Sequence, residues 1–216
     1  MLKVKVCGMT RVADAVLASE LGATAVGLVF WKESPRCVSV STARGVVEAL
    51  PPEVTPVGVF VDPDIRTVED TVKDVGLRAV QMHGSESAGF CVELSRRIGV
   101  DVLKAVSLRG PASVDHAVGL PESLTVLLDA HDPVKKGGTG QQVDWSLASA
   151  VASRRRVYLA GGLSPANLAE AVSVVRPHGV DVSSGLETAP GLKDPGLMRE
   201  FFAAVVAAER THEGVQ

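Results

Sequence analysis

Eight short runs dense in Val, Leu and Ala recur along the chain, and the segments between them carry helical spacing. The runs are LKVKVC (2–7), AVGLVF (25–30), TPVGVFV (55–61), AVQMH (79–83), DVLKAV (101–106), LTVLLD (124–129), RVYLAG (156–161) and GVDVSS (179–184). Few polar residues interrupt them, which is the pattern of strands buried on both faces in a parallel sheet. Apolar residues follow at helical intervals, as in Val12, Val16, Leu17 and Leu21, in Val68, Val72 and Val75, and in Leu168, Ala171 and Val175. Thr10, Ser41, Ser164 and Asp194 stand before such stretches as N-caps, and Gly22 and Gly76 stand where C-caps belong. Eight repeats in 216 residues leave about 27 residues each, enough for a compact strand–helix unit. The reading is a single-domain (β/α)8 TIM barrel of the α/β class over residues 1–216, with a frayed tail from about 207. The rival, a doubly wound open sheet, uses fewer strands and a glycine fingerprint after the first. Here the first turn reads CGMT and no GxGxxG follows.

Composition narrows the partners. A hydrophobic fraction of 46% with 22% charged residues is ordinary for a globular chain with a sizeable core. The net charge is −3 and the longest basic run is Arg154-Arg155-Arg156, read as a solvated helix end, so no nucleic-acid footprint is expected. There is no apolar run of transmembrane length and no signal-peptide pattern, which predicts a cytoplasmic protein with no membrane partner. Cys7, Cys37 and Cys91 are odd in number and form neither CxxC nor Cys/His spacing, so reduced thiols are expected rather than disulfides or structural zinc.

In a barrel the residues just after each strand build the active site. Here they are polar: Cys7 after the first, His83-Gly84 after the fourth, Asp129 after the sixth, Gly161-Gly162 after the seventh, and Ser183-Ser184-Gly185 after the eighth. Cys7 alone reads either as core packing or as a reactive thiol, and the following glycine suits the second. Asp129 reads either as a loop-ordering acid or as a functional carboxylate, and its place on the same rim as Cys7 favours function. Arg36, in the SPR of residues 34–36, is a surface residue or a fork for a planar carboxylate. The glycine-dense stretch KKGGTGQQVDW (135–145), with Gly138 and Gly140, suits a lid over the mouth. The turns after strands seven and eight are the ones that often hold a phosphate in such barrels, so a phosphorylated small molecule is the expected ligand class.

With those residues in place, the sequence resembles the phosphoribosylanthranilate isomerases of tryptophan biosynthesis. KVCGMT is similar to the family's KICGIT, FWKESPRCVS to its F-x3-SPR segment and VGVFVD to its VGVFVN; VQMHGSE, GGTGQQVDW, LAGGLSPANL and DVSSGLE follow in the family's order. The chain departs from the family pattern at Cys37, at Asp62 in place of the usual Asn, and at QQV in place of KTF in the lid.

The resemblance implies a barrel that isomerises N-(5-phosphoribosyl)anthranilate to 1-(2-carboxyphenylamino)-1-deoxyribulose 5-phosphate, an Amadori rearrangement without cofactor or metal. It implies Asp129 as general acid at the furanose ring oxygen and Cys7 as general base at C2. It further implies Arg36 on the anthranilate carboxylate, the turns at Gly161, Gly162, Ser183, Ser184 and Gly185 on the phosphate, and His83 and Asp181 near the substrate. Two other readings stay open: a histidine-pathway or bifunctional isomerase barrel, and a non-catalytic phosphosugar-binding barrel. The first is disfavoured by Cys7, where those barrels carry an acid, and by the lack of a half repeat. A monomer is expected, with a dimer not excluded.

Overall fold

The computed structural model describes residues 1–130 and 143–213. Eight parallel strands close on themselves: β1 Lys3–Cys7, β2 Ala25–Val29, β3 Thr55–Phe60, β4 Ala79–Met82, β5 Asp101–Leu108, β6 Thr125–Ala130, β7 Val157–Leu159 and β8 Gly179–Val182. The barrel closes where β1 pairs with β8, in the register Lys3↔Gly179, Lys5↔Asp181. Helices follow the strands: α1 Val12–Leu21, α2 Val40–Glu48, α3 Ile65–Val75, α4 Ala88–Ile98, α5 Pro111–Gly119, α6 Trp145–Ala152, α7 Leu168–Val175 and α8 Pro195–Glu213. After β8 comes a 3-10 turn, Ser184–Leu186, and then a small antiparallel hairpin of β9 (Glu187–Ala189) and β10 (Leu192–Lys193).

Alternation along each strand divides two cores. In β1, Val4 and Val6 join the large cluster between strands and helices, with Val26, Leu28, Val80, Met82, Val126 and Leu128. Lys5 and Cys7 take the other face. Ala25, Val57, Ala79 and Leu103 form a small separate cluster, and Cys7, Val29 and Val59 another beneath Trp31.

Local signals and tertiary packing set the helix ends together. Gly22 and Gly76 adopt the left-handed C-cap conformation, and Asp194 accepts from Gly196 N and Leu197 N at the start of α8. The other three N-cap expectations are corrected. Ser39, not Ser41, caps α2 by accepting from Thr42 N. Arg11 is the N-cap residue of α1, while the Thr10 hydroxyl donates to Gly191 O. Asn167 stands at the N-cap of α7, with Ser164 in the turn before it.

The face of α1 against the core is Asp14, Ala15 and Ala18, small enough for close approach, whereas Val12 is exposed. The expected faces of α3 and α7 hold, since Val68, Val72, Val75, Leu168, Ala171 and Val175 are all buried. The arginine triplet is not a uniformly solvated end: Arg155 donates to the carbonyls of Ala117, Leu120 and Leu124 at 2.9, 2.8 and 2.8 Å, closing the connection from α5 to β6. α8, the longest of the described helices, runs from Pro195 to Glu213.

Phe201 of α8 has no exposure to solvent and lies within the strand–helix core. Phe201→Ala is expected to destabilise the fold by about 3–5 kcal/mol through lost transfer energy and a cavity, read as a lower urea midpoint with unchanged m-value.

Candidate active site

The rim at the carboxyl ends of the strands gathers most of the residues singled out from the sequence. Cys7 ends β1, buried, with its carbonyl accepting from Ser183 Oγ at 3.1 Å. Opposite it β2 carries Gly27, where an added Cβ would fall 2.6 Å from Cys7 Sγ. The absent side chain makes room for the sulfur. Two residues before Cys7 on the same face, Lys5 is fully buried and its ammonium donates to Asp181 Oδ1 at 2.8 Å.

Burial works against the Lys5 ammonium, yet the Asp181 carboxylate and the Cys7 sulfur together hold its pKa above the usual lysine range. Burial also pushes the Cys7 thiol upward, with Lys5 opposing that shift, Asp181 adding to it and Lys193 opposing it. Cys7 therefore rests as a thiol beside a permanent positive charge.

Asp129, on β6, is buried and meets His83 Nε2 at 3.1 Å. His83, just after β4, is fixed from below by Gln81, whose Nε2 lies 2.7 Å from His83 Nδ1. The loop that follows is anchored by a buried pair: Lys104 Nζ donates to Gly84 O at 2.7 Å and to Glu86 Oε2 at 2.8 Å. Glu86 in turn accepts from Asp62 N at 2.8 Å. Asp62 has φ +47°, a left-handed conformation that Asp tolerates better than most side chains. Its Oδ1 accepts from Ser85 Oγ at 2.8 Å, so this departure from the family pattern ties two rim loops together.

The two glycine turns pack against each other. Gly161 and Gly162 have φ +83° and +68°, and Asn167 secures the turn by donating to Gly162 O and accepting from Ser164 N. Gly185 has no room for a side chain: an added Cβ would lie 2.0 Å from Leu163 O. The turn after β8 thus rests against the one after β7, backbone to backbone.

Arg36, read from sequence as either a surface residue or a carboxylate fork, is buried and engaged by the protein itself. Its guanidinium is bidentate to Glu187, at 2.9 Å from Nε to Oε1 and 2.6 Å from Nη2 to Oε2. Gly138 and Gly140, with most of the expected lid, lie outside the described residues.

The structure thus places Cys7, His83, Asp129, Arg36, Gly161, Gly162, Ser183, Ser184 and Gly185 at the mouth, and Asp181 deeper, as the counter-ion of Lys5. Sequence reading missed Lys5, Gln81, Glu187 and Lys193. Lys5 had a signal, a lysine in phase with Cys7 on the inward face of a buried strand. Glu187 had a weak one, as the last residue of the DVSSGLE stretch, and Lys193 had none.

A family model described as N-(5'phosphoribosyl)anthranilate (PRA) isomerase matches residues 4–204. The chain belongs to that isomerase family. It is 45% identical over 205 residues to an N-(5'-phosphoribosyl)anthranilate isomerase of Geobacter sp. strain M21, covering 94% of this chain and 97% of the relative. A Myxococcus xanthus isomerase is likewise 45% identical, over 94% of this chain and 95% of its own length. Among solved structures, the Thermus thermophilus phosphoribosyl anthranilate isomerase superposes with a TM-score of 0.86 at 37% identity, covering 95% of this chain and 99% of its own. A phosphoribosyl anthranilate isomerase in complex with reduced 1-(o-carboxyphenylamino)-1-deoxyribulose 5-phosphate gives 0.83 at 38% identity, covering 96% and 100%.

The contact at Gly185 yields a test within this family geometry. Gly185→Ala forces the turns after β7 and β8 apart and is expected to weaken inorganic phosphate binding by about tenfold with the barrel still folded. Unchanged affinity by calorimetric titration would show that these turns do not form the anion site.

Proposed function

We propose that the chain isomerises N-(5-phosphoribosyl)anthranilate with Asp129 as general acid and Cys7 as general base. One observation carries this division of roles: a thiol and a carboxylate, both buried, end β1 and β6 on the same rim, with the strands β7 and β8 between them. The turns after those two strands are where the phosphate belongs, so the sugar is anchored between acid and base. Arg36, beyond Cys7 around the rim, takes the anthranilate carboxylate. From the phosphate turns Cys7 and then Arg36 follow in one direction around the rim, as C2 and the anthranilate carboxylate follow the phosphate along the substrate, and Asp129 stands on the other side.

In the first step Asp129 donates its proton to the furanose ring oxygen as the C1–O bond breaks, leaving a protonated imine between C1 and the anthranilate nitrogen. The Cys7 thiolate then takes the proton from C2. Those C–H electrons form the C1–C2 double bond as the imine π electrons move to nitrogen, giving an enolamine. Protonation at C1 and loss of the 2-hydroxyl proton give the ketone. Lys5 beside the sulfur favours the thiolate that this step needs. His83 keeps Asp129 oriented.

We also read the protein as a cytoplasmic monomer. No helix among the described residues is long and apolar enough to cross a membrane, and their exposed large apolar side chains are dispersed, with Val12, Val40, Val92, Val174 and Val206 on five different helices, Leu192 on the hairpin and Met1 at the first position.

Cys7→Ala and Asp129→Asn are each expected to lower kcat by about 10²–10⁴-fold while product affinity stays near native, as removal of a proton-transfer group requires. Near-native kcat in either variant, followed by fluorescence of the anthranilate ring, removes that residue from the mechanism. The base also predicts a pH dependence. The thiol pKa is raised, so the reactive thiolate grows as pH rises toward that value. With the acid removed, the residual kcat/KM of Asp129→Asn should climb by about tenfold per pH unit below that value, because the thiol is then the one proton-transfer group left to titrate. A flat profile of that variant between about pH 6 and 9 would count against a thiolate base.

A further inference from the structure

The arginine at the mouth has its hydrogen-bonding edges already divided. A guanidinium has five N–H groups in one rigid plane. Glu187 occupies the flank made by Nε and Nη2 of Arg36. What remains for a ligand is the outer edge, Nη1 with the second hydrogen of Nη2. Glu187 is itself fixed: Lys193 Nζ, with a fully buried side chain, donates to its Oε1 at 2.7 Å and to Ser183 O at 3.1 Å.

The stem of the arginine is confined as well, because Gly8 lies so close that an added Cβ would come within 2.5 Å of Arg36 Cδ. The hairpin carrying Glu187 and Lys193 is pinned to the first strand–helix loop. Arg11 Nη2 donates to Lys193 O at 3.1 Å, and Thr10 Oγ1 donates to Gly191 O at 2.5 Å. Head and stem of Arg36 thus have one arrangement before any ligand arrives.

We propose that Glu187, held by Lys193, is a specificity-determining positioning residue: it aims Arg36 so that only the outer edge of the guanidinium meets the substrate, end-on to a planar carboxylate. The proposal rests on the reading above that Arg36 receives the anthranilate carboxylate. Charge supports it independently. Arg36 and Lys193 bring two positive charges and Glu187 one negative, leaving a net single charge for one further carboxylate. Burial works against the Glu187 carboxylate, but Arg36 and Lys193 hold its pKa below the usual range, so it is ionised at neutral pH. Fixing the fork in advance removes the cost of ordering a long side chain when the ligand binds.

The test compares three probes on the full chain: the reduced product 1-(2-carboxyphenylamino)-1-deoxyribulose 5-phosphate, its phenylamino counterpart lacking the carboxylate, and inorganic phosphate. In Glu187→Gln the carboxylated probe should weaken by about tenfold, while the other two stay within about twofold, and KM should rise with kcat nearly kept. Equal loss of all three probes would make Glu187 merely structural. Tighter binding of the carboxylated probe would make it a competitor for Arg36. Either result overturns the proposal.

Arg36→Ala separates this from the underlying reading. If that variant weakens both phosphosugar probes equally, Arg36 does not receive the carboxylate and the reading itself fails. If Arg36→Ala discriminates between them and Glu187→Gln does not, only the aiming role fails. Should Glu187→Gln not fold, Glu187→Asp keeps the charge balance but shortens the reach. It is expected to weaken the carboxylated probe selectively, and a loss shared with phosphate would refute the proposal.

Discussion

The Lys5–Asp181 ion pair sits on the seam where the first strand closes against the last, and the geometry of the site follows from it. The two residues are register partners in the β1–β8 ladder, both buried, with 2.8 Å between ammonium and carboxylate. Taking two charges out of water is costly, and the cost is offset only when they meet in good geometry. A slip of one residue would turn Lys5 outward among the helix-facing valines and strand Asp181 inside the barrel. The pair therefore discriminates strongly between registers, whatever its net contribution to stability. With that register fixed, Cys7 ends beside Gly27 and Ser183 Oγ reaches the Cys7 carbonyl. A cation then stands below the sulfur without having been recruited for catalysis alone.

The barrel was legible because burial on both faces leaves a strong composition signal in each strand, and strand limits agree within a few residues. Helix starts were less legible, because a hydroxyl before a helix is a common signal and packing chooses among candidates. Ser39 and Ser41 are both suitable chemically. Capping at Ser39 puts Val38 just outside the helix and Ala43 at its fourth position, both buried, as a hydrophobic staple requires. Thr10 reads as a cap only until Gly191 takes its hydroxyl, a contact 181 residues distant in sequence. By contrast, Gly22 and Gly76 were legible because a left-handed C-cap is a local demand on the backbone.

The site divides along the same line. Cys7 and Asp129 announce themselves by position, since strand ends in a barrel point at the mouth. Their partners do not. Lys5 finds Asp181 across 176 residues, and Arg36 finds Glu187 across 151. No periodicity in one sequence encodes such pairings. Arg36 shows the consequence: its residue type and loop left a surface residue or a carboxylate fork open, while the folded chain buries it and closes one flank with its own carboxylate. The sequence was a fair guide to which groups face the mouth and a poor one to which of their edges remain available.

That division bears on how an isomerase with so small a reaction centre orients its substrate. In the proposed reading one anchor, the pair of turns after β7 and β8, is backbone, and the contact at Gly185 leaves it no room to shift. The other anchor is a side chain, and a side chain is a poor anchor unless its rotamers are removed beforehand. Gly8 beneath the stem and Glu187 against the flank remove them. A ligand bound as proposed would meet rigid partners at both ends, so that binding energy remote from C1 and C2 holds those carbons between acid and base. Loosening the Arg36 anchor leaves the thiol, the carboxylate and the phosphate turns in place, so its cost is felt first in how tightly the carboxylate end is held and only then in proton transfer.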